Sequence, residues 1–124
     1  MLDCKATLRV KSETLPLKEI TNILGEPTQG FSKGQAFGRA NRLRSHTQWN
    51  LEINFDSSDM QRCIVKILDF YNEKDLISIL PACDIDIFCM VSSDNGQGSF
   101  VLEAGIYQKL LDAGLNVIFD FYSD

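Results

Sequence analysis

Two hydrophobic periods meet in the middle of this chain. Over residues 47–55, Thr47, Trp49, Leu51, Ile53 and Phe55 alternate with Gln48, Asn50, Glu52 and Asn54. Directly afterwards, Met60, Cys63, Ile64, Ile67, Leu68 and Tyr71 recur at i, i+3, i+4, i+7, i+8 and i+11. A period of two is the mark of a half-buried strand, and a period of 3.6 that of an amphipathic helix. The switch falls at Asp56-Ser57-Ser58-Asp59, a run of cap-forming residues, with Gln61 placed after Ser58 as in a capping box. A one-sided strand feeding a one-sided helix has to bury both apolar faces in a shared core, which restricts the chain to layered α and β structure.

The remaining elements fit that restriction. Cys4, Ala6, Leu8 and Val10 alternate with Lys5, Thr7, Arg9 and Lys11, predicting a second half-buried strand. Leu17, Ile20, Ile23 and Leu24 predict a helix over residues 15–24, with Pro16 in its first turn, Gly25 as C-cap and Pro27 preventing resumption. Residues 26–46 read as a long loop carrying Gly30, Gly34 and Gly38. A short helix is expected over 76–80, ended by Pro81. Residues 85–92 are apolar on both faces and predict a central strand, followed by a turn at Asn95-Gly96. Residues 99–102 read as a short strand or a lead-in. Residues 103–113 predict a helix with Ile106, Tyr107, Leu110 and Leu111 inward and Gly114 closing it, and residues 116–122 a last strand.

Leu15, Ile23 and Leu24 align with Leu102, Leu110 and Leu111 at one constant offset. That echo predicts an α+β two-layer sandwich: a ferredoxin-like plait of two βαβ-like halves with an extra helix and a mostly antiparallel sheet. A chain of 124 residues is expected to form one domain, residues 1–124. The open face of its sheet is expected to carry the polar positions of both alternating strands, together with Asp86, Phe88, Met90, Ile118, Asp120 and Tyr122.

Charge is distributed unevenly. Residues 84–124 hold seven acidic side chains and one base, Lys109, whereas residues 27–51 hold four bases and no acid. With a net charge of -5, the acidic third repels nucleic acid and anionic lipid and attracts basic partners. Asp86, Asp94, Glu103, Asp112, Asp120, Tyr122 and Asp124 are the candidate partner-binding residues. Lys33, Arg39, Arg42 and Arg44, with nearby glycine amides, are the candidates for an anion site.

Catalysis has little to build on. His46 is the single histidine, and neither a nucleophile elbow nor a phosphate-binding glycine loop is present. Asp84 and Asp86 would point together from one strand and are the residues a hydrolase would have to use. Cys4, Cys63, Cys83 and Cys89 are too scattered for a zinc site and are expected to be free thiols, with Cys63 and Cys89 in the core. No cofactor or metal is expected. The amino terminus lacks an apolar signal-like run, and the longest apolar stretch, residues 87–91, is far too short to span a bilayer. A cytoplasmic monomer or weak dimer is the expectation.

Gly25-x-Pro27-Thr28, Lys33-Gly34, Trp49 and a terminal Asp120-x-Tyr122 form an ordered pattern along nearly the whole chain, residues 6–122. It resembles the bacterial family called domain of unknown function 4279. The resemblance implies an α+β domain without established activity and supplies no catalytic residues. Small members resemble immunity proteins encoded beside polymorphic or contact-dependent toxins, which implies a non-enzymatic inhibitor of a cognate toxin domain. The basic stretch at 39–44 lies outside the pattern. Pro27 and Thr28 are expected to fix the exit from the first helix, Trp49 to anchor the core, and Asp120 and Tyr122 to reach the long loop, through Lys33.

Overall fold

The computed structural model describes residues 2–55, 59–74 and 80–123. The alternation at the amino terminus becomes β1 (Leu2–Ser12), whose Cys4, Ala6, Leu8 and Val10 are fully buried. β1 runs along the centre of a five-stranded sheet, between β5 (Thr47–Asn54) and β6 (Asp84–Ser93), antiparallel to both. β2 (Gln29–Phe31) forms one edge on β5, and β7 (Asn116–Ser123) forms the other on β6, parallel to it.

The helices cover one face. α1 (Leu17–Leu24) lies over β5, α2 (Met60–Glu73) over β1 and β5, and α3 (Ala104–Ala113) against α2. The result is an α+β two-layer sandwich with a mostly antiparallel sheet, as the periodicities predict. The core joins Leu8, Ile20, Trp49, Met60, Ile64, Ile67 and Ile87, all fully buried. The two halves close differently. β6, α3 and β7 form a parallel βαβ unit, whereas β1 and β5 pair antiparallel after a longer excursion.

Local chemistry accounts for the element boundaries. Asp59 is the N-cap of α2, its carboxylate accepting from the Arg62 backbone N–H at 3.0 Å. The expected capping box begins at Ser58, which lies outside the described residues; its other member, Gln61, instead accepts from the Glu103 N–H and ties α2 to α3. Pro16 sits at the N-cap of α1, and Gly25 closes that helix at φ 96°, a conformation that favours glycine. Gly114 caps α3 in the left-handed region. The short helix expected over 76–80 lies largely outside the described residues; a 3₁₀ turn covers Leu80–Ala82.

Two expectations need correction. Residues 26–46 are not a plain loop: they supply β2 and a separate hairpin of β3 (Ala36–Phe37) and β4 (Arg42–Leu43). Residues 99–102, read as a short strand or a lead-in, are a lead-in to α3. Tyr107 and Leu111 do not face inward but stand 58% and 74% exposed, because the buried stripe of α3 is only Ile106 and Leu110 wide.

Gly25, Thr28 and Trp49 of the motif fasten the exit of α1 to β5. The Trp49 Nε1–H donates to the Gly25 carbonyl at 2.9 Å, and its indole stacks on Phe70. The Thr28 N–H donates to the Asn50 carbonyl, and the Thr28 hydroxyl accepts from the Glu52 N–H. Asp120 and Tyr122 do not reach the 26–46 segment, because β7 and β2 are opposite edges of the sheet. Tyr122 donates its hydroxyl proton to Asp120, and Lys33 donates to the Glu13 carbonyl.

Candidate functional site

The register sets which side chains share the open face. Arg9 lies between Asn50 and Asp86, Thr7 between Glu52 and Phe88, and Lys5 between Asn54 and Met90. Across β6, Phe88 faces Ile118, Met90 faces Asp120 and Ser92 faces Tyr122. The polar positions of β1 and β5 therefore form one face with the aromatic, Met and acidic positions of β6 and β7, since directly opposed residues point the same way.

At the centre of that face, Arg9 grips Asp86 with two parallel hydrogen bonds of 2.7 and 2.9 Å, while its guanidinium lies over the Phe88 ring. Lys11 adds a second cation, 3.5 Å from the same carboxylate. Asp86 is thus committed to two bases inside the molecule, and Asp84 lies across from Lys11 at the start of β6. Among the described residues, no group of three or more His, Cys, Asp or Glu side chains is arranged to hold a metal ion.

The acidic candidates divide by position. Asp94 follows the end of β6, Asp120 lies just past the middle of β7, and Glu103 is the N-cap of α3, tied to the first turn of α2. These three therefore collect at one end of the strands, where Asp3 on β1 joins them opposite Ser92. Asp112 lies at the other end of α3, held by Gln108, and Asp124 falls outside the described residues.

Two hollows flank Tyr122 at this acidic end. One, of about 360 Å³, lies among Asp3, Lys5, Met90, Ser92 and Tyr122 on the open face. The other, of about 370 Å³, is floored by Leu2, Val91, Phe100 and Phe121. Phe121 and Tyr122 stand 66% and 47% exposed between them. The hydrogen bond to Asp120, 2.5 Å long, holds the Tyr122 phenol above its ordinary pKa, because ionisation would place two negative oxygens together. The sequence marks Asp120 and Tyr122 but not Phe121, Asp3 or the hollows, which depend on strands far apart in the chain.

The basic candidates occupy the opposite end and do not converge. Arg44 lies between the rings of Phe31 and Phe37, at 4.0 and 3.9 Å, and its buried Nε has no hydrogen-bond partner among the described residues. Arg39 and Arg42 are exposed on the hairpin, and Lys33 is turned toward Glu13. A hollow of about 570 Å³ nearby is lined by Lys11, Ser12, Thr14, Ser45, His46 and Asp84, among others. His46 bridges Ser45 and Gln48 through its two ring nitrogens. Composition offers no signal for this hollow.

Fold and surface together define a small α+β domain with a charge-polarised surface. A family model described as "Domain of unknown function (DUF4279)" matches residues 3–124, and the chain belongs to that family. Among curated proteins and among solved structures, none matches the chain. Among the described residues, no helix is long and apolar enough to cross a membrane.

Proposed function

We propose that this chain is a non-enzymatic binding protein that docks a basic protein domain on its acidic end, in the manner of an immunity protein neutralising a cognate toxin. One observation carries the reading: Asp3 lines a hollow with the exposed Tyr122, Asp120 accepts from the Tyr122 hydroxyl, and Asp94 and Glu103 follow at the same end of the strands, where Phe121 is exposed as well. Aromatic anchors within a charged rim are the usual energetic layout of a protein interface, and a rim of one sign speeds association with an oppositely charged partner. Three of the four thiols are buried, and Asp86 at the centre of the open face is taken up by Arg9 and Lys11.

The test is capture of the product of the neighbouring reading frame by the tagged chain. A stoichiometric complex that weakens with salt is expected, and reversing Asp94, Glu103 and Asp120 together to lysine should weaken it at least tenfold. Binding that survives this triple reversal unchanged would discard the acidic end as the contact.

A second reading has its own observation. The hollow at the basic end gathers Lys11, His46 and the hydroxyls of Ser12, Thr14 and Ser45 beside Glu13 and Asp84, donors that a small anion would use if it displaced Lys11 from Asp86. The chain would then be an anion-binding regulatory domain. A thermal-shift panel of phosphates and carboxylates tests it, with stabilisation that disappears in Lys11→Met as the expected result.

A further inference from the structure

The two edges of the sheet are unlike. β2 is three residues long and is preceded by Pro27. β7 is eight residues long, contains no Pro, Lys or Arg, and among the described residues pairs with nothing on its outer side. Proteins ordinarily blunt such an edge with short strands, prolines or inward charges, because its row of unpaired N–H and C=O groups is a template for another strand. Here the flanks are apolar as well. Ile118 and Tyr122 are exposed on the open face, Phe121 on the helix face, and Tyr107 and Leu111 on α3. Each of the two α3 residues follows a buried one, about 100° further round the helix. In a right-handed β6–α3–β7 crossover that side of α3 turns outward, past the free edge.

The edge calls for a strand, and the charge selects which kind. Asp120 lies in the middle of the strand on the open face, with Glu103 and Asp94 at its far end. A second copy of this chain, also at -5, would bring like charges together along the seam. A basic strand would not. Side chains of an added strand alternate between faces, so one set would lie beside Ile118, Asp120 and Tyr122 and the other beside Phe119 and Phe121.

We propose that β7 accepts an extended segment of the basic partner as a sixth strand, with basic residues on the Asp120 side and apolar residues on the Phe121 side. This rests on the acidic-end reading and specifies how the partner is held: backbone pairing supplies affinity, and the alternation supplies selectivity.

The probe is an eight-residue capped peptide alternating lysine and valine, titrated into the isotope-labelled chain. Shifts and slowed exchange concentrated on the backbone amides of residues 116–123 are expected. The alternating glutamate–valine peptide and the fully N-methylated lysine–valine peptide should leave those amides unmoved. Ile118→Lys should weaken lysine–valine binding about tenfold, and Asp120→Asn several-fold, with the rest of the amide spectrum unchanged. Absent shifts, shifts placed elsewhere, or β7 amides that change with protein concentration alone would overturn the proposal, the last by assigning the edge to a second copy. If charge reversal abolishes capture of the natural partner while Ile118→Lys does not, the acidic-end reading stands and strand addition falls. If the peptide adds to β7 but no basic domain is captured, strand addition stands and the acidic-end reading falls.

Discussion

Arg9 and Asp86 illustrate how a residue's role is decided by its neighbour rather than its type. Read along the chain, Asp86 belongs to the acidic third and is a candidate for partner contact. In the fold it is 15% exposed and clasped by Arg9, with Lys11 beside it. Removing Arg9 takes away both short hydrogen bonds to the nearly buried Asp86 carboxylate and leaves it only Lys11, 3.5 Å away. Arg9→Met should therefore cost about 3 kcal/mol in urea unfolding, and Arg9→Met with Asp86→Leu together distinctly less. At the acidic end the corresponding pair is Tyr122 and Asp120. With Asp120→Asn, the Tyr122 phenol should ionise at lower pH, measurable by ultraviolet titration, because the carboxylate that opposes its ionisation is gone. The sequence shows that Asp120 and Tyr122 share a strand face. It does not show that Asp86 is occupied, since Arg9 is 77 residues away.

At the scale of elements, the hairpin of β3 and β4 is the clearest departure from the linear reading. Glycine content and the absence of apolar periodicity make residues 26–46 look unstructured. What organises them is Arg44, held between Phe31 and Phe37, one of which belongs to the main sheet and the other to the hairpin. Each such cation–π contact contributes about 1 kcal/mol. Arg44→Ala should release the hairpin locally: the Gly34 and Arg44 amides, which pair across its base, should lose hydrogen-exchange protection while β1 and β6 keep theirs. Equal loss throughout would mean that the hairpin is integral to global stability. The longer elements were legible because each repeats its signal over several turns or alternations. Three-residue and two-residue strands have no room for a period.

At the scale of the whole molecule, the thiols report on integrity. Cys4, Cys63 and Cys89 come from β1, α2 and β6 and are buried in one core, whereas Cys83 is only partly covered. Burial raises all four thiol pKa values, that of Cys89 to about 12. A thiol raised in the folded state ionises first in the unfolded chain. Stability should therefore hold below about pH 9, the ordinary thiol value, and decline as pH rises from there toward 12. Under native conditions an alkylating reagent should modify Cys83 first, with the other three following together at the rate of global unfolding. Early modification of Cys89 would show that the core opens locally. The charge polarity belongs to this scale too, because Asp94, Glu103 and Asp120 of the acidic third join Asp3 at one end only once β1, β6, β7 and α3 are aligned, while Asp84 and Asp112 fall at the other. By itself the sequence determined the layers, the helix and strand types, the core faces and the family, all of which follow from local periodicity and short motifs. Only the tertiary structure decided which acids are neutralised, which end they occupy, that the 26–46 segment is clamped, and that one edge of the sheet is left open. Those depend on strand order and register, which pair residues tens of positions apart and leave no period in the chain.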